Sequence, residues 1–218
     1  MLKNLYIYES ELCAMAYEAQ KYPDCETGGD MYGLWTPAGE PVVFLATGPG
    51  KNAVRQDAHY QMDIEYEQKC ATVLIKQFGV HYLGDWHSHH KLNINEPSLG
   101  DRDRIDKIFK RNRVLNYMAE IIINHINEDN RKEMVSAYIY DKIMKSSNIK
   151  CLETQLSPIR QRVKLSKEKR FFNLIEGKLP INCISLKNTE ELGRIYNRNI
   201  EQLHSLNEGQ AISIKLER

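Results

Sequence analysis

Apolar and polar positions along this chain switch between a period of two and a period near 3.6, and the switches predict strands alternating with helices. Leu2 to Tyr8 reads as a first strand. Ser10 is placed to cap a helix to about Lys21, in which Leu12, Met15, Ala16 and Ala19 share one face. Pro23 and the Gly28-Gly29 pair mark a turn. Met31 to Trp35 and Pro41 to Thr47 then read as the two strands of a hairpin around Thr36-Pro37-Ala38-Gly39. After Gly48-Pro49-Gly50, Asp63 is placed to cap a helix to about Phe78, with Ala71, Leu74 and Phe78 at helical spacing and Gly79 where a helix commonly stops. A strand from Val80 through His87 follows. Ser98 opens another helix with Ile105, Ile108 and Phe109 inward, and Glu120 to Ile126 and Met134 to Tyr140 are apolar enough for two further strands. The expected class is α/β.

The pattern changes past Tyr140. From Lys142 to Arg170 there are nine Lys or Arg against two Glu, with Ser-Ser-Asn and Ser-Pro breakers inside. A first unit over residues 1–145 and a C-terminal extension over 146–218 are therefore expected, the role of the second being open. Within the extension Asn188 is placed to cap a helix with Leu192, Ile195, Tyr196, Ile200 and Leu203 as its stripe, and Ile212, Ile214 and Leu216 alternate as a last strand would. The extension thus reads as α+β.

Composition narrows the function classes. The 218 residues are 42% hydrophobic and 27% charged, which excludes wholesale disorder. Thirty Lys and Arg against 29 Asp and Glu give a formal charge of +1, so no global field draws the chain to nucleic acid or an anionic membrane. The basic stretch at 142–170 lacks interleaved aromatics until Phe171-Phe172 and reads as a solvated face before it reads as a nucleic-acid contact. No apolar run approaches the roughly 18 residues of a spanning helix, and the amino terminus alternates apolar with charged residues, so a cytoplasmic location is expected. Five cysteines, at 13, 25, 70, 151 and 183, never form a C-x-x-C pair and read as reduced and mostly buried.

The chemistry is concentrated in Gly84-Asp85-Trp86-His87-Ser88-His89-His90, followed by Pro97-Ser98-Leu99-Gly100-Asp101. On a strand continuing from Val80, a period of two puts the imidazoles of His87 and His89 on one face and turns Ser88 away. Asp101, three residues into the helix that Ser98 caps, can return toward the strand end as a third ligand. Two imidazole nitrogens and one carboxylate suit Zn²⁺, and three protein ligands leave a fourth position open, as catalytic sites do. Hydrolysis also needs a group to move a proton. Glu26, in Cys25-Glu26-Thr27-Gly28-Gly29, is the candidate, because glycines there let the backbone pass close to a neighbouring element. Trp86 reads either as a wall of the site or as core, and Asp85 either as a partner of a ligand histidine or as a solvated carboxylate.

Glu-Thr-Gly-Gly, then Gly-Asp-Trp-His-Ser-His, then Pro-Ser-x-x-Asp resembles the JAB/MPN domain with a JAMM metalloprotease motif, in particular its prokaryotic branch. The Ala46 to Gly50 loop with Asn52-Ala53, and Asp63 opening the next helix, are similar to that branch too. The resemblance covers roughly residues 1–145. It implies a cytidine-deaminase-like mixed β-sheet flanked by helices, one catalytic Zn²⁺ on His87, His89 and Asp101, Glu26 as general acid/base, and Ser98 as the residue that helps hold the oxyanion. Active members of the family are zinc isopeptidases that release ubiquitin or ubiquitin-like proteins. Prokaryotic members often accompany ubiquitin-like conjugation or sulfur-carrier pathways, so ubiquitin-like proteins, their conjugates and the activating and conjugating enzymes are the partners it implies.

One departure stands out. The family usually has ten residues between the second histidine and the aspartate and Pro directly after that histidine, whereas eleven intervene here and His90 takes the Pro position. Counting from His90 restores the usual spacing. On an extended strand His90 faces away from His87, so His89 is the expected ligand. The competing function is a non-catalytic JAB/MPN scaffold in a larger assembly. Within the enzyme reading, deconjugation and trimming of a ubiquitin-like or sulfur-carrier precursor share one chemistry.

Overall fold

The computed structural model describes residues 3–89, 94–127, 132–141, 143–152, 157, 159 and 213–215. Its first strand, β1 (Asn4–Tyr8), runs directly into α1 (Glu9–Lys21). Ser10 is not the cap expected from the sequence. The helix begins two residues earlier, Tyr8 occupies the cap position without a side-chain bond, and the Ser10 hydroxyl donates to Glu11 at 2.8 Å while accepting the N–H of Ser157 at 3.1 Å. β2 (Gly28–Trp35) and β3 (Pro41–Ala46) form the expected antiparallel hairpin. Two short strands absent from the periodicity, β4 (Val54–Gln56) and β5 (His59–Gln61), make a separate hairpin. Then come α2 (Ile64–Phe78), capped by the Asp63 side chain and ended at Gly79, and β6 (His81–Ser88). α3 (Leu99–Arg111) precedes β7 (Met118–Asn127), β8 (Lys132–Tyr140) and β9 (Met144–Leu152), and β10 (Ser213–Lys215) lies along β8.

The large sheet has the order β10-β8-β7-β6-β2-β3-β1-β9, with β6–β7, β1–β3 and β1–β9 parallel and the other pairs antiparallel. β9 also pairs with β8: Met144 to Ser147 lie against Tyr140 to Ala137, and Asn148 to Leu152 against Asn4 to Tyr8. The sheet therefore closes on itself through the two halves of one strand. The boundary expected at 145/146 falls inside this strand.

Alternation along the strands assigns the two faces, with β6 shifted by one residue at a bulge between its pairs with Met31 and Tyr32 of β2. Leu5, Ile7, Val43, Leu83, Trp86, Ile121 and Ile123 pack with Leu12, Met15 and Ala19 of α1. Tyr6, Tyr8, Val42 and Phe44 pack with Cys70, Leu74 and Phe78 of α2, and Met118 and Ile122 pack with Ile105 of α3. With both faces covered, β3 is buried along its whole length, which is why its sequence reads as an unbroken apolar run. The expected helix after Asn188 lies outside the described residues. Among the described residues no helix is long and apolar enough to cross a membrane. The four described cysteines are free, but of these only Cys70 is buried; Cys13, Cys25 and Cys151 are half-buried, against the expectation of a mostly buried set.

Candidate metal centre

β6 brings Asp85 and His87 to the face covered by α2 and α3, and sends Trp86 to the opposite one. Trp86 is core, 1% exposed, and its indole N–H donates to the Thr47 carbonyl at 3.0 Å. Beyond the strand end, His89 holds its line through its N–H, which donates to Ile123 of β7 at 3.0 Å. The two rings consequently meet: Nε2 of His87 lies 2.8 Å from Nε2 of His89. Ser88 points away, is fully buried, and its Oγ accepts the Thr27 N–H at 3.0 Å.

Asp101 arrives from the first turn of α3. Ser98 and Asp101 form a capping box, in which Ser98 Oγ accepts the Asp101 N–H at 3.2 Å and Asp101 Oδ2 accepts the Ser98 N–H at 2.9 Å. The same Oδ2 lies 3.5 Å from His87 Nε2 and 3.6 Å from His89 Nε2. Burial raises the Asp101 carboxyl, but hydrogen bonding to His87, His89 and Ser98 outweighs it and holds the group well below the usual carboxylate range. The Ser98 hydroxyl also donates to Asp101 Oδ2, at 2.6 Å.

These donors fit a zinc ion. Nδ1 of His89 lies 3.0 Å from the Ile94 carbonyl oxygen, an acceptor only, which assigns the ring proton to Nδ1 and leaves the Nε2 lone pair facing inward. Two imidazole nitrogens and an ionised carboxylate oxygen thus converge on one point, an arrangement that calls for a cation between them. Ligand atoms on a tetrahedral zinc with bonds of about 2.0–2.1 Å are roughly 3.3 Å apart; the two distances that involve Asp101 are close to this, and the 2.8 Å between the two Nε2 atoms is shorter. His90, which competes with His89 in the sequence spacing, lies outside the described residues.

Glu26 is pinned beside this cluster from two sides. Its N–H donates to Gln56 of β4 at 2.9 Å, and the next residue, Thr27, exchanges hydrogen bonds with Ser88. Gly28 and Gly29 continue into β2 opposite His87 and Trp86. A Cβ on Gly29 would run into the Thr47 carbonyl oxygen, so the pair does let β2 pass close to its neighbours. Burial pushes the Glu26 carboxyl up, against the pull of His87 and His89. A cavity of about 740 Å³ opens in front of the cluster, walled by Glu26, His59, Asp85, Ser98, Asp101 and Arg104 among others.

Behind His87 stands a polar network of which the sequence singled out only Asp85. Glu120 of β7, fully buried, places Oε1 3.8 Å from His87 Nδ1. Tyr140 of β8 donates its hydroxyl to Glu120, and Arg104 of α3 reaches Glu120 at 3.3 Å and grips Asp85 with both guanidinium nitrogens. Asp85 is accordingly neither solvated nor idle. Burial pushes the Glu120 carboxyl up, with His87 pulling it down. One signal was available in the sequence: Glu120 is an ionisable residue at the head of the apolar run Ile121-Ile122-Ile123, where a buried charge needs a partner. Arg104, inside the charged run Asp101-Arg102-Asp103-Arg104, carries no such signal.

No family model matches the chain. Its fold is similar to the solution structure of protein DSY2949 from Desulfitobacterium hafniense, with a TM-score of 0.51 and 18% identity, covering 69% of this chain and 94% of that one. Among curated proteins, it is 34% identical over 107 residues to "Probable metalloprotease y4qB" of Sinorhizobium fredii. The match takes in 47% of this chain and 63% of that protein, so the chain spans less than two thirds of that relative's length.

Proposed function

We propose that this protein is a zinc-dependent peptidase of the JAB/MPN type, with His87, His89 and Asp101 as ligands and Glu26 as general acid/base. The reading is carried by one observation: His87 Nε2, His89 Nε2 and Asp101 Oδ2 cluster together, and His87 and Asp101 line the same cavity as Glu26. The similarity to a protein named as a metalloprotease supports it. Bound zinc supplies Lewis-acid polarisation of a carbonyl and acidification of water. The chain's own residues do the rest. The Glu26 carboxylate takes a proton from the attacking water at a carboxylate oxygen and delivers it to the departing nitrogen, a shuttle favoured by a partly desolvated carboxyl. The Ser98 hydroxyl donates to Asp101 here and sits on the cavity wall, so turning that O–H outward lets it donate to a developing oxyanion instead.

The substrate we propose is the amide after the C-terminal Gly of a ubiquitin-like protein, in a conjugate or in a precursor, in line with the motif resemblance. The test pairs metal analysis with cleavage of ubiquitin-like fusions joined by a peptide or an isopeptide bond. About one zinc per chain and cleavage after the Gly are expected. Glu26→Gln should keep the metal and lose about 10²–10⁴-fold in turnover, whereas His87→Ala should lose the metal. A fully active Glu26→Gln protein would falsify the assigned role, and a wild-type chain without zinc or cleavage would leave the scaffold reading in its place.

A further inference from the structure

The candidate zinc site has a built back wall, and we propose that Glu120 is its positioning residue: through His87 Nδ1 it fixes the ring so that Nε2 presents its lone pair to the ion. The inference rests on the zinc reading above. A ligand histidine uses one nitrogen for the metal, and the proton on the other sets which tautomer and which ring orientation prevail. For His89 that job falls to the Ile94 carbonyl. For His87 the group facing Nδ1 is the Glu120 carboxylate, at 3.8 Å, an electrostatic contact longer than a hydrogen bond. A carboxylate opposite Nδ1 favours the Nδ1–H form.

Glu120 is itself held. Its Oε2 accepts from Tyr140 and its Oε1 from Arg104, while Arg104 is anchored on Asp85, directly across the β6–β7 pairing from Glu120. Asp85 is also close to His87, but the ion-pair contact with Nδ1, at 3.8 Å, is made by Glu120, which is therefore the better placed of the two to face that nitrogen. The sheet, through β6, β7 and β8, and α3, through Arg104, thereby act on a single imidazole from behind, while α3 supplies Asp101 from in front.

The experiment measures zinc affinity by chelator competition and the visible spectrum of the Co²⁺-substituted protein, for wild type, Glu120→Gln and Tyr140→Phe, with thermal melts of the metal-free proteins as the fold control. Glu120→Gln should weaken zinc binding by about 10–100-fold and alter the Co²⁺ spectrum at an unchanged apo melting temperature. Tyr140→Phe, which removes one of the two hydrogen bonds that hold Glu120, should give a smaller weakening in the same direction. Wild-type affinity and spectrum in a folded Glu120→Gln protein overturn the proposal. Should that variant not fold, unchanged affinity in Tyr140→Phe overturns it. A wild-type chain that binds no zinc removes the metal reading and this one together, which separates the two failures.

Discussion

Asp30 is a carboxylate that the fold holds at a cost to itself. It is 2% exposed on β2, and its Oδ2 accepts the Tyr32 hydroxyl at 2.9 Å. Burial pushes its carboxyl well above the ordinary range, and Glu67 and Asp85 add to the rise. In the unfolded chain an Asp releases its proton near pH 4. Over the window from there to the raised folded value, the folded state binds more protons than the unfolded one, so stability falls as pH rises. Asp30→Asn removes the ionisable group and keeps an oxygen for Tyr32. Urea midpoints at pH 4 and pH 8 check the consequence: the variant should exceed wild type at pH 8, and the advantage should vanish at pH 4. An equal gain at both values would mean that the carboxyl is not the source.

At the scale of elements, β6 is the strand on which the candidate site depends, and Gly84 is its tightest point. Gly84 has φ +141° and pairs with Ala119 of the parallel strand β7, where a Cβ would run into the Ala119 carbonyl oxygen. Gly84→Ala should push β6 off β7 at a cost of about 2–4 kcal/mol, and with it displace His87. Chemical denaturation and zinc content measure the two effects, and a variant that retained both would show that the spacing of these strands is not what places the ring. The Gly-Asp-Trp-His-Ser-His segment was legible because its information is local: a period of two gives the shared face of His87 and His89, and Ser-x-x-Asp gives the cap that delivers Asp101. The helix from Asp63 to Gly79 was legible for the same reason. Glu120 and Arg104 were not, since one sits on a strand and the other on a helix and only the packing of α3 on the sheet joins them. β4 and β5 escaped because each is three residues long with its outer positions exposed, too short for any period to register.

The scale of the whole molecule is where the sequence reading and the structure part most clearly, and β9 is the reason. Met144-Lys-Ser-Ser-Asn-Ile-Lys-Cys-Leu152 carries breakers and polar residues that suggest a linker, yet it bridges β8 and β1 and closes the sheet. Its pairing partners lie at opposite ends of the folded unit, so nothing in its own composition announces them. Ile149 is 5% exposed against the α1 side of the core, and further on Ile159 is fully buried with Tyr8 and Phe44. The folded unit therefore extends at least to Ile159. A fragment of residues 1–145 would leave the backbone of β1 and β8 unpaired along the edges that β9 now fills, and would expose Leu5 and Ile7 nearby. Open edges of that kind favour association with other chains over folding. Such a fragment should lose its cooperative thermal transition and aggregate, as followed by circular dichroism and light scattering, while the full chain melts cooperatively under the same conditions. A monomeric 1–145 fragment with a cooperative transition near that of the full chain would show instead that β1 and β8 hold without the closing strand, and that the boundary suggested by composition is also the boundary of stability.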